Sequence, residues 1–173
     1  MNLSIKPENI SISRYTATMG MLFAVSAVLN AFESLFSAFL PAGIRIGLSN
    51  IVIMAAVISI NIPSAFLLTL LKAAFVMLTR GITAGMMSFC GGAAAFAVTA
   101  LLFRHTKTSF VFMSVLSALA HIAGQLAAAG ILMKTATVFA YAPVLVISST
   151  AAGICTGIVL KTIYPHIGKI LKK

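Results

Sequence analysis

Few side chains in this chain could do chemistry, and most of them interrupt apolar runs. Glu33 is followed by Arg45, Ser49 and Asn50; Lys72 and Ser88 stand inside later hydrophobic stretches, and His121 and Gln125 lie one helical turn apart. A charge at membrane depth is expensive, so such residues usually face a bundle interior or a watery cavity. Guanidinium and ammonium groups gathered there would suit a carboxylate or a phosphate. The competing reading makes Glu33 the buried ion-pair partner of Arg45 or Lys72, with Arg80 and Lys134 anchoring helix ends by snorkelling. Asn30, Ser49, Asn50, Ser88, His121 and Gln125 could orient a ligand, or could equally hold helices together by hydrogen bonds. His121 has no nearby acids or thiols to complete a metal site, so neither metal nor cofactor is expected. A nucleophilic triad, paired acids and a phosphate-cradling glycine loop are all missing from the sequence, which places no catalytic residue.

The elements that must hold these groups are membrane helices. Of 173 residues, 61% are hydrophobic and 8% charged, with a mean hydropathy of +1.12, whereas a soluble domain has roughly a quarter of its residues charged. About 20 apolar residues cross a bilayer as a helix, which gives room for a bundle of about six short spans. The fold class expected is an all-α integral membrane protein of six transmembrane helices, lying at 16–163 between a polar lead-in (1–15) and a basic tail (164–173). The polar opening MNLSIKPENISISRYTATMG is unlike a cleaved signal, so the first span is expected to stay. Twelve Lys and Arg oppose two acids, Glu8 and Glu33, for a net charge of +10. Most of these cations sit at span ends, as flanking anchors do, and nucleic acid is not an expected partner. Cys90 and Cys155 lie in apolar runs without a paired spacing and read as small core residues.

Taken in order, span one runs from about Thr16 to Leu40, and Pro41-Ala42-Gly43 breaks it. A short second span covers about Ile46 to Ile60. Asn61-Ile62-Pro63 turns the chain, with Pro63 at the first position of span three, which runs to about Thr79. Span four (about Thr83 to Phe103) carries Gly91-Gly92, and span five (about Ser109 to Met133) carries the stripe Ala120, Gly124, Ala128. Both are smooth surfaces for close helix contact. Span six runs from about Thr137 to Leu160. With the N-terminus inside, Lys6, Arg14, Arg104, Lys107, Lys161, Lys169, Lys172 and Lys173 are cytoplasmic, while Arg45, Arg80 and Lys134 are outside. That asymmetry puts both termini in the cytoplasm and opens the polar pocket outward.

Pro41-Ala42-Gly43-Ile44-Arg45-Ile46-Gly47-Leu48-Ser49-Asn50-Ile51 resembles the PG-[VI]-[KR]-LGLANI signature of the Gx transporter family, also labelled heptaprenyl diphosphate synthase component I. Leu70-Leu71-Lys72 is similar to its LLR segment, Ser88 to Ala93 to its SLxGG run, and Ala120 to Leu126 to its AHNxGQL segment. Here Lys72 stands for the usual Arg, Ile122 for Asn, and Ser49 for Ala. That family is related to the substrate-binding S components of energy-coupling factor (ECF) importers.

The resemblance implies an ECF S-component-like bundle in the cell membrane that captures a small anionic, vitamin-like or isoprenoid or quinone-precursor solute. It would pass that solute inward by toppling beside a transmembrane coupling subunit and two ATPases. S components dock the coupling subunit through an AxxxA pattern on helix one, for which Ala27 and Ala31 are the best match. The ligand contacts expected are Arg45 and Lys72 for the anion, and Asn50, His121 and Gln125 for orientation, with Glu33 and Ser88 alongside. The alternative is a non-catalytic membrane accessory of a polyprenyl diphosphate synthase, with the catalytic subunit as partner. A third reading is a structural subunit of an electron-transfer assembly. Prenyl transfer itself would want acidic clusters for magnesium diphosphate, and the chain has no Asp.

Overall fold

The computed structural model describes residues 11–37, 47–105, 108–134 and 136–171. Helix α1 (Ile12–Ser37) is followed by α2 (Asn50–Ser59), α3 (Ile62–Arg80), α4 (Ile82–His105) and α5 (Phe110–Met133). A 3-10 helix (Ala136–Tyr141) then runs straight into α6 (Ala142–Leu171). The Pro41-Ala42-Gly43 break, Arg45, Lys6 and Lys107 lie outside the described residues. Five of the helices are long and apolar enough to cross a membrane; α2, with 10 residues, is not.

The distribution of side chains is that of a bundle in lipid. Met21, Val28, Phe32 and Leu35 of α1 and Ile147, Ile158 and Val159 of α6 point outward, while Glu33, Thr69, Lys72, Ser88 and His121 are buried. Large outward-facing apolar areas on a water-soluble protein would be aggregation sites. Lipid tails are as apolar as those side chains, and the polar groups escape them by turning inward.

Helix α2 shows why the short second span matters. Its sequence, NIVIMAAVIS, is apolar on every side, and a helix apolar all round belongs in a core. Nine of its 10 residues are buried, with α1, α3, α4, α5 and α6 around it. Ile53, Ala56 and Val57 pack with Met19, Ala65 and Leu68 on one side, and Met54 and Ile58 pack with Met113 and Leu160 on the other.

The turns are specified locally. The Asn61 side chain accepts the Ser64 N–H at 2.8 Å and caps α3, with Pro63 in the first turn, where a missing N–H costs nothing. A single residue, Gly81 at φ +92°, separates α3 from α4. The connection before the 3-10 helix begins with Lys134 at φ 49°, a left-handed cap of α5. Helix α6 continues to Leu171, through most of the stretch set apart above as a basic tail, and α1 starts at Ile12, within the expected lead-in.

Helices α4, α5 and α6 pack closely because glycines let their backbones meet. A Cβ on Gly124 of α5 would lie 2.6 Å from the Cys90 carbonyl oxygen of α4, and one on Gly157 of α6 would lie 2.6 Å from Cα of Val111. Hydroxyls stitch the same layers: Thr99 Oγ1 donates to Ser117 Oγ at 3.0 Å, and Ser114 and Thr156 share a bond of 2.7 Å. Gly124→Ala is therefore expected to lower the thermal midpoint in detergent, by an overpacking cost of about 1–3 kcal/mol. Gly20→Ala, where the added carbon meets open space, is expected to leave it unchanged or raise it, because alanine favours the helix by about 1 kcal/mol.

Candidate binding site at the first turn of α2

Loop lengths place one end of every helix at a common level. The C-terminal ends of α1, α3 and α5 and the N-terminal ends of α2, α4 and α6 share a side, because each neighbouring pair is antiparallel across a short connection or is tied by a hydrogen bond. Buried Asn30 and Glu33 of α1, Asn50 of α2 and Ser88 of α4 lie toward that side.

Glu33, in the last turns of α1, is 4% exposed. Its Oε1 accepts the backbone N–H of Gly47 at 2.5 Å, which fixes the entry to α2 against α1. Gly47 stands at φ +75°, a backbone conformation open to glycine at little cost. Three residues on, Asn50 opens α2, and its Oδ1 accepts from Lys72 Nζ of α3 at 2.9 Å. Lys72 is 5% exposed. An ammonium held this deep needs oxygen around it, and a hydrogen bond to a charged group contributes about 1.5–3 kcal/mol.

Asn30, Glu33, Gly47, Ser49, Lys72, Ser88 and His121 line one small cavity of about 10 Å³, room for about one water. Residues far apart in sequence, from α1, the turn into α2, α3, α4 and α5, thus meet at one place. A carboxylate and an ammonium share its walls, so the described part is of mixed charge, not uniformly cationic. Arg45, the second cation expected here, lies outside the described residues.

Gln125 departs from its neighbour. His121 faces the polar cavity, whereas Gln125 lines a second, mostly apolar cavity of about 70 Å³ with Met87, Ile122, Leu126, Ala129, Val138, Tyr141 and Leu145. One helical turn is about 3.6 residues, so residues four apart are displaced around the axis by tens of degrees, enough to face different hollows. Gly91 of α4 packs against both side chains: a Cβ there would lie 2.6 Å from Gln125 Cγ and 3.0 Å from His121 Cε1.

Arg80 does more than anchor a helix end. Its guanidinium donates to the Asn30 carbonyl oxygen at 3.1 Å, tying the end of α3 to α1 beside the polar cavity. Its position at a span end gives the sequence no sign of that contact. Lys134 is exposed. On α1, Ala31 is exposed and Ala27 half-buried, and Gly20 and Ala24 on the same stripe are also exposed. Among the described residues, no group of three or more His, Cys, Asp or Glu could hold a metal, and Cys90 and Cys155 are free thiols.

The link between Lys72 and Asn50 is testable by a double-mutant cycle. Asn50→Leu alone is expected to destabilise the bundle by about 1.5–3 kcal/mol, since it takes an acceptor from a buried charge. Adding Lys72→Met is expected to return part of that loss, a coupling of at least about 0.5 kcal/mol measured by denaturant or thermal unfolding in micelles.

Compared with known proteins, residues 22–163 match the family described as heptaprenyl diphosphate synthase component I. No curated protein and no solved structure matches the chain.

Proposed function

The chain belongs to the heptaprenyl diphosphate synthase component I family, and from that membership and the polar hollow in its apolar bundle we propose that it is a solute-binding membrane subunit. It is not itself an enzyme: component I is the non-catalytic member of the pair that the family description implies. The observation that carries the reading is the placement of Lys72, 5% exposed and halfway along α3, instead of at a span end where the headgroups would solvate it.

The guest is a small anion-bearing solute. Lys72 and Arg45 bind its anionic group, with His121, Ser88 and Asn50 orienting it. Asn50 Oδ1 now occupies the position at 2.9 Å from Lys72 Nζ that an anionic oxygen would take. Binding therefore exchanges one oxygen acceptor for a charged one, which is a favourable exchange in a low-dielectric site. The cavity of about 10 Å³ is smaller than such a guest, which enters as Asn50 and the turn at Gly47 withdraw. Glu33 holds that turn and acts as a positioning residue.

We further propose, from the family relation to ECF S components that the sequence motifs imply, uptake across the cell membrane, with both termini cytoplasmic, the pocket opening outward, and solute delivery in a complex with a coupling subunit and ATPases. The exposed face of α1 around Ala27 and Ala31 is the docking surface in that reading. A second reading has the family description in its favour: the same hollow takes a diphosphate head, and the partner is a synthase catalytic subunit.

Purified protein in nanodiscs, screened by thermal shift against vitamins, quinone precursors and prenyl diphosphates, is expected to be stabilised by at least one anionic compound. Lys72→Met is expected to weaken that binding at least tenfold, the loss of one charge-assisted hydrogen bond of about 1.5–3 kcal/mol. Stabilisation by none of them, or binding indifferent to Lys72→Met, would refute the assignment. Co-purification then separates the two partner sets, since ATPases and a coupling subunit support uptake and a soluble Asp-rich synthase supports the second reading.

A further inference from the structure

Gln125 has no place in the polar hollow, yet it is only 6% exposed. Its carboxamide has no hydrogen-bond partner among the described residues. A carboxamide carries two donors and an acceptor, and enclosing them unpaired among apolar groups is costly. What it faces is the cavity of about 70 Å³ between α4, α5, the 3-10 helix and α6, walled by Met87, Ile122, Leu126, Val138 and Leu145. Ile122, Leu126 and Leu145 form a buried cluster against which Val138 packs. Among the described residues none lines both this cavity and the polar hollow, and the Cγ of Gln125 is pressed against the α4 backbone at Gly91. The cavity is therefore a site of its own, whatever Lys72 holds.

The walls decide what would complete that amide. No Lys, Arg, His, Asp or Glu is among the described residues lining the cavity, so a charged occupant would be left without a counter-charge in an apolar site. Water needs two to four polar partners, and Gln125 and Tyr141 are the only polar side chains on these walls among the described residues. A hydrocarbon would leave the carboxamide as unpaired as before. We propose that this cavity is a second binding site, for the uncharged amide end of a small molecule. The N–H and carbonyl of a primary amide or lactam lie side by side, so they pair with the carbonyl and N–H of Gln125 in two parallel bonds, with the carbon portion against Ile122, Leu126 and Leu145. An engineered apolar cavity of about 150 Å³ holds benzene; about half that volume encloses an amide with two or three carbons. Tyr141, 56% exposed, and the half-buried Val138 mark the outer side, where the remainder of a longer molecule would lie.

The test uses the whole protein in nanodiscs, with empty nanodiscs as the reference, and follows fluoroacetamide by fluorine NMR relaxation while propanamide, butanone or propanoate competes. Propanamide is expected to displace the probe. Butanone, which has the same shape without the donor, and propanoate, which is charged, are expected to compete at least about fivefold less well, because each hydrogen bond is worth severalfold in affinity. Gln125→Met, of similar length without the amide, is expected to weaken probe binding at least about fivefold and to leave the thermal midpoint of the empty protein unchanged or higher, since it removes an unpaired polar group. Val138→Phe, which fills the cavity from its outer side, is expected to abolish binding, and Met87→Phe, filling it from α4, carries that arm if Val138→Phe does not fold. The site is overturned if fluoroacetamide does not bind, if butanone competes as well as propanamide, or if Gln125→Met leaves binding intact. A Gln125→Met midpoint that falls by several degrees would make the amide a link between helices and overturn the site as well. Binding lost with Lys72→Met but kept with Gln125→Met would seat the probe in the polar hollow, which overturns the second site and leaves the Lys72 reading standing.

Discussion

An ammonium inside an apolar bundle has to be surrounded by oxygen, and the packing of this protein can be understood as the arrangement that achieves this for Lys72. One acceptor comes from Asn50, which is the first residue of a helix too short to cross a membrane. Asn50 follows the turn at Gly47, and Gly47 is held by the Glu33 carboxylate of α1. Two links thus connect three helices, and each uses one of the few ionisable groups below the surface. Replacing such groups by well-packed apolar residues is often neutral or stabilising in proteins generally. Their presence together with His121 and Ser88 around one hollow is what the proposed binding role would account for.

The short helix α2 is the positioning device. Its apolar faces fill the centre of the bundle, and the surrounding helices converge on it. Its first residue, Asn50, is polar, and the polar hollow lies beside it. The glycine contacts among α4, α5 and α6 complete the arrangement by bringing α5 against α4 at Gly91 and Gly124. At this distance His121 reaches the layer of Lys72.

Much of this was legible beforehand, for physical reasons that differ from residue to residue. Composition identified the lipid setting, because a bundle whose outside must match hydrocarbon cannot hide that requirement. Asn61 and Pro63 marked the start of α3 because capping and proline stereochemistry act within four residues. The meeting of Glu33, Ser88, Lys72 and His121 could be expected because costly groups have one place to go. Gln125 shows where such reasoning stops: spacing puts it on nearly the same face as His121, but whether a face meets one hollow or the next depends on the tilt of α5 against α4, which no local pattern encodes. The bond from Arg80 to the Asn30 carbonyl is equally invisible, since any backbone oxygen could have accepted it. The 3-10 helix at Ala136–Tyr141 carries no distinguishing residues and reads in sequence as the start of a helix.

The depth of Lys72 carries an electrical consequence. It is the eleventh of the 19 residues of α3, so it sits about 15 Å along a helix that rises roughly 1.5 Å per residue, near the midplane of a hydrocarbon layer about 30 Å thick. A monovalent anion travelling from either surface to that point crosses about half of any voltage across the bilayer, worth roughly 1 kcal/mol for each 100 mV. Under the proposed anion-binding role, occupancy of the hollow would respond to the energised state of the cell, with the sign set by which surface the hollow opens toward.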